Sequence, residues 1–156
     1  VDHVQTILGR QMLLENPSSY FQFSESSYSE PAFLNAVVAQ TGCGLLLDVN
    51  NIFISCHNLN ISAEAYLNEL NCPAVGEIHL SGHSTDLLEQ SEDLLIDSHA
   101  APAADPVWRL YENILRLTGP QASLIEWDTN VPECSVLNGE VMQAACLLEQ
   151  QICKNH

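Results

Sequence analysis

The chain is poor in positive charge. Four Lys and Arg residues stand against 20 Asp and Glu in 156 residues, a formal net charge of −16. A surface of that sign repels phosphate backbones, which argues against a nucleic-acid partner. Long apolar runs are also lacking. None reaches the roughly 18 residues that a membrane span requires, so no membrane association is expected. The opening VDHVQTILGR has no basic stretch followed by an apolar core, so no secretory signal is expected. The six cysteines, at 43, 56, 72, 134, 146 and 153, form no Cys-x-x-Cys pair. They are read as reduced thiols of a cytoplasmic protein. Cys43 and Cys146 lie on apolar stretches and are expected to be small core residues. Repeats, linkers and low-complexity segments are absent, so residues 1–156 are read as one domain.

What is present is enough apolar material for a core, 46% of the chain. It is arranged in alternating strand-like and helix-like segments. DHVQTILG is expected to be a helix capped by Asp2 and stopped by Gly9. QMLLEN reads as a buried strand ending at Glu15 and Asn16, before Pro17. SEPAFLNAVVAQTG follows as a helix, with Ser29 as N-cap, Pro31 in the first turn and Gly42 at its end. LLLDVN is a second strand, SAEAYLNELN a helix capped by Ser62, and VGEIHLSG a third strand. The segment from His83 to Asp93 is polar and acidic. LLIDSH is an extended piece of a long loop, because too few residues precede it for a helical crossover. DPVWRLYENILRLTG is a helix with Asp105 as its cap, Pro106 in its first turn and Gly119 at its end. ASLIEWD is the fourth strand, and a last helix spans Gly139 to Cys153.

Strand–helix repetition with strands apolar on both faces implies an α/β fold with a parallel sheet. Two architectures satisfy it: an open doubly wound sheet, or a (β/α)8 barrel. A full barrel takes about 250 residues, so this chain would be roughly the C-terminal half of one, its last four units plus a leading helix.

The polar residues gather where the strands stop. Glu15 ends the first, Asp48 and Asn50 the second; His79 lies in the third, with His83 four residues on. Asp97 and His99 end the extended loop piece, and Glu126, followed by Asp128, ends the fourth strand. In parallel α/β folds that rim binds ligands. Residues two apart on a strand share a face, so Asp48 and Asn50, Asp97 and His99, and Glu126 and Asp128 are expected to pair off. Carboxylates converging there without Lys or Arg would repel one another, and a cation resolves the conflict. Mixed carboxylate and imidazole ligands suit iron, manganese or zinc better than calcium or magnesium. Taken singly, each residue has an ordinary reading. His79 is a satisfied core histidine, Asn50 and Asn51 are turn formers, and His3, His57 and His156 are surface residues. Their joint placement is what points to a metal.

The segments LLENPSSYF, LLLDVNNIFIS, GEIHLSGH, LLIDSHAAPAADPVWRLYENIL and LIEWDTNVPE resemble, in order and spacing, the multinuclear non-haem iron-dependent oxidases. That family includes the methanobactin-biosynthesis oxidase and relatives that modify cysteines of ribosomally made peptides. The resemblance runs from about Met12 to Glu133. It implies a TIM barrel of the xylose-isomerase-like type with two or three irons at its rim. By motif, Glu15, Asp48, His79 and Glu126 would hold the central iron, and Asn50, His83, Asp97 and His99 would surround a further one. Asp128 would lie beside the centre with a supporting part in catalysis. The implied chemistry is O2-dependent oxidation of a cysteine in a precursor peptide, often presented by a small partner protein. Early-strand histidine ligands of the family have no counterpart here, and Ala100 stands where the family commonly has Gly. Half a barrel would leave two open sheet edges and a tendency to self-associate. Two other readings compete: a multi-zinc phosphodiesterase of the same barrel type, and an inactive metal-binding remnant.

Overall fold

A computed structural model describes residues 1–86 and 93–154. The elements run α1 (Asp2–Leu8), β1 (Leu13–Glu15), α2 (Glu30–Thr41), β2 (Gly44–Asp48), α3 (Val49–Asn58) and α4 (Ala63–Glu69). A short 3-10 turn (Cys72–Ala74) leads into β3 (Val75–Leu80), β4 (Ser84–Asp86), β5 (Leu94–Ile96), α5 (Asp105–Thr118), β6 (Ala122–Ile125) and α6 (Cys134–Lys154). Among the described residues, no helix is long and apolar enough to cross a membrane.

Four strands form one sheet in the order β1-β2-β3-β6, every neighbouring pair parallel. An open doubly wound sheet reverses its strand order at a switch point. Here each strand is added beside the one before it in this sheet. The protein is therefore an α/β fold with a four-stranded parallel sheet flanked by helices, consistent with part of a TIM-barrel-like domain. As expected, the LLIDSH piece stays outside this sheet. Its β5 pairs antiparallel with β4 in a separate ribbon.

The core follows from the strand composition. Leu45 and Leu47 on β2, with Ile78 and Leu80 on β3, are all essentially inaccessible to solvent. Val107, Tyr111, Ile114 and Leu115 form the buried stripe of α5 and belong to the same cluster. The Tyr111 hydroxyl donates to Ser123 Oγ at 2.8 Å, tying α5 to β6. Ser29 caps α2 by accepting from the Ala32 N–H, and Ser62 caps α4 through the Ala65 N–H, both as the sequence predicts. Gly42 ends α2 in the left-handed region at φ 65°, where a residue without Cβ is strain-free.

Several expectations are corrected. Asp105 is the first helical residue of α5 and not its cap. Ala104 is already extended, and its carbonyl accepts from both Val107 and Trp108 N–H. Asp2 likewise lies inside α1, whose first carbonyl is that of Val1. The last helix begins at Cys134, because Glu133 O captures Val136 and Leu137 N–H and carries the helix through Gly139. Cys43 is buried, whereas Cys146 is exposed, since α6 buries only Ala144 and Gln151. The helix α3 is unanticipated. It starts directly at the end of β2, so Asn50 and Asn51 are helical residues and not turn formers.

Asn16 extends the β1–β2 ladder with its side chain. Its Nδ2 donates to Asp48 O at 2.9 Å, and its Oδ1 accepts from Asp48 N–H at 2.8 Å. Asn16 is fully buried, and Pro17 behind it has no N–H to offer. Asn16→Leu would leave the buried Asp48 N–H unpaired, at about 1–3 kcal/mol, while the Asp48 carbonyl keeps its place as first acceptor of α3. The expected outcome is a loss of about 1–3 kcal/mol in urea unfolding, with the m-value unchanged.

Candidate metal centre

The parallel register assembles the cluster. Asp48, the last residue of β2, lies opposite His79 on β3, and Glu15 ends the neighbouring β1. Two groups of three result: Glu15, Asp48 and His79, and Asp48, His99 and Glu126. In each, one ligand atom per residue lies within 4.8 Å of the others. Asp48 is common to both.

The remaining predicted residues border these groups. His79 Nδ1 is 3.3 Å from Glu126 Oε2. His99 Nδ1 is 3.5 Å from both Glu126 Oε1 and Asp128 Oδ2, and His99 Nε2 is 2.9 Å from Asp97 Oδ1. Asn50 Nδ2 donates to Asp97 Oδ1 at 3.1 Å, and its Oδ1 lies 2.7 Å from His83 Nδ1. The structure thus joins all nine predicted residues in one contiguous cluster, with Asp128 at its exposed margin. The expected strand alternation is not what joins them. Asn50 is in α3, Asp97 and His99 follow β5, and Glu126 and Asp128 follow β6, so none of the three pairs lies within a strand. His3 and His57 are exposed and outside the cluster. His156 is outside the described residues.

Sequence pattern does not single out the supporting residues. Glu77 approaches His79 Nε2 at 3.4 Å. The Tyr20 hydroxyl accepts from Asp97 N–H at 3.1 Å. Asn51 donates its N–H to Asp48 Oδ1 at 2.7 Å and its side-chain amide to Asn16 O at 3.0 Å. Asn16 had one readable signal, an amide lodged between a strand-end acid and a proline.

Asp48 is the most perturbed group. Burial pushes its carboxyl up to about 7, and the charges of Asp97 and Glu15 add to the rise. The Asn51 N–H and His99 oppose it without cancelling it. Burial alone would lower His99, but the carboxylates of Asp97, Glu126, Asp48 and Asp128 outweigh it and raise the imidazole. Burial, with the charge of His57 adding, lowers His83, against the pull of Asp97. The one Lys or Arg ion pair among the described residues is Arg116 with Glu112 on α5.

The donor set fits a divalent first-row cation. Asp48 Oδ1 is occupied by the Asn51 N–H, but Oδ2 is buried with no hydrogen-bond partner. His99 Nε2, although close to Asp97, also lacks a partner of hydrogen-bonding geometry. Orphaned acceptors amid carboxylates and imidazoles are what such an ion satisfies.

A family model described as "RiPP precursor modification enzyme MbnB/TglH/ChrH" matches residues 1–149. A UPF0276 protein of Rhizobium meliloti is 46% identical over 150 residues, 96% of this chain and 48% of that protein. UPF0276 proteins of Paraburkholderia phytofirmans and Bordetella parapertussis are each 49% identical, over 92% and 94% of this chain and 47% and 51% of their own lengths. The chain spans about half the length of these relatives.

The raised Asp48 pKa has a stability consequence for the metal-free chain. The folded state holds a proton that the unfolded carboxyl, at 3.8, releases earlier. The native state therefore binds more protons between those values, and stability falls as pH rises from about 4 through about 7. Asp48→Asn keeps an acceptor for the Asn51 N–H and removes the charge. The expected outcome is a variant more stable than the parent at pH 8, the gap closing below pH 4, as read by urea unfolding across pH in the presence of chelator.

Proposed function

The chain belongs to the MbnB/TglH/ChrH family of RiPP precursor modification enzymes, and on that premise we propose that it carries the greater part of the metal centre of an iron-dependent oxidase acting on cysteines of a precursor peptide. The observation that carries the reading is Asp48, buried, shared by two groups of potential ligands and left with an unpartnered oxygen. Glu15, Asp48, His79 and Glu126 would hold a central iron, and Asn50, His83, Asp97 and His99 would bound a second position. Bound iron would supply the redox chemistry, using O2 as oxidant and offering a position to a substrate thiolate.

The chain's own residues do the orienting. Asn50 fixes Asp97 with its amide N–H and offers its oxygen to His83. Glu126 and Asp128 face His99 Nδ1, holding the ring as carboxylates hold ligand histidines elsewhere. The exposed position of Asp128 suits proton exchange between the centre and solvent. We read the sheet as four consecutive strands of a xylose-isomerase-like (β/α)8 barrel, with β1 and β6 as the edges that the remaining strands would meet. A cysteine-bearing peptide, presented by a small partner protein, is the substrate this reading implies.

The test is metal analysis with Mössbauer spectroscopy on anaerobically purified protein. It is made on this chain and on the chain fused to the portion of the Rhizobium meliloti relative that it does not span. The expected outcome is more than one iron per fused molecule, mostly lost in Asp48→Ala, and O2 consumption that depends on a cysteine peptide. Zinc alone would favour the phosphodiesterase reading. No metal in either protein would end the oxidase reading.

A further inference from the structure

The end of β3 and the loop bearing His99 pass too close for a side chain to stand between them. A Cβ on Gly82 would overlap the carbonyl oxygen of Ala101 and sit 2.5 Å from its carbonyl carbon and 2.6 Å from Pro102 O. The obstructing atoms are backbone, so no rotamer change relieves them. The approach is held by hydrogen bonds. His99 N–H donates to Gly82 O at 3.1 Å, and His99 O accepts from Asp128 N–H at 3.0 Å and Thr129 N–H at 3.1 Å. The neighbouring Glu126 N–H donates to Leu80 O at 2.8 Å. Within this tie His99 has φ 47°, a region that an L side chain occupies only when its surroundings hold it there.

That conformation decides where the imidazole points. In it, Nδ1 faces Glu126 and Asp128 while Nε2 faces Asp97. We infer that Gly82 is a positioning residue of the cluster: its missing side chain admits the Ala101 backbone, and the resulting backbone tie holds His99 left-handed with its ring between Asp48, Asp97 and Glu126. This rests on reading the cluster as a metal centre. It adds a residue that offers no side chain to a metal and acts through the backbone of His99.

Two readouts test it on the chain itself. The first is the imidazole 15N shifts of His99 in metal-free protein, assigned by their loss in His99→Ala. The second is Co2+ affinity and the cobalt d–d spectrum. Gly82→Ala is expected to move the His99 shifts, alter the cobalt bands and weaken Co2+ binding by about 10- to 100-fold. In the His99→Ala background, Gly82→Ala should cost nothing further, because it acts through that ring. Ala101→Gly should not rescue it, because the clash is with backbone. If Gly82→Ala does not fold, Thr129→Pro replaces it in the same cycle; it removes one N–H of the tie and leaves Gly82 itself unchanged. Unchanged His99 shifts, or a loss that adds to that of His99→Ala, would overturn the inference. If the parent binds no Co2+, the metal reading fails, and the shifts alone still decide whether Gly82 sets the ring.

Discussion

A single hydrogen bond, from the Asn51 N–H to Asp48 Oδ1, joins the strand to the helix on which the cluster depends. Asp48 closes β2, caps α3 and contributes to both groups of potential ligands. Its backbone is held from the other side by the Asn16 amide. The residue therefore has little freedom to relax. Its second oxygen remains unpartnered because helix capping and ladder pairing have used its neighbours' donors.

The apolar interior accounts for the tolerance of so much like charge. Leu45, Leu47, Ile78 and Leu80 anchor the strands that present Asp48 and His79, and α5 packs the same core. Carboxylates held by such strands cannot drift apart to reduce repulsion. The cost appears instead as a proton retained on Asp48 and a more basic His99. This is the usual balance at a site shaped for ligand chemistry, where local stability is given up and the surrounding core compensates.

Much of this was legible in the residues themselves. Serine caps, proline in first turns and Gly42 mark α2 and α4 because those signals act over one helical turn. The strand ends were legible because buried parallel strands are continuous apolar runs broken by polar residues. What escaped notice were effects that spacing does not encode. The helix α3 follows β2 without punctuation, since Asp48 is at once strand end and cap. Asp105 and Gly139 carry real boundary preferences, overruled by neighbouring carbonyls. The nine candidate residues lie together, but not through the strand-face pairing that the sequence suggests. Gly82 could not be found at all, because its constraint is a contact with a backbone segment far along the chain.

The strand order carries a kinetic implication. Each parallel ladder joins segments separated by at least one helix, so none of the three forms from local contacts. The cluster draws on residues from Glu15 near one end to Asp128 near the other. Within this stretch Glu15 and Asp48 are synthesised before His79 and His99, whose imidazoles they meet in the fold. A cation arriving at that stage meets a loose carboxylate, because Glu126 joins Asp48 and His99 only once β6 is paired with β3.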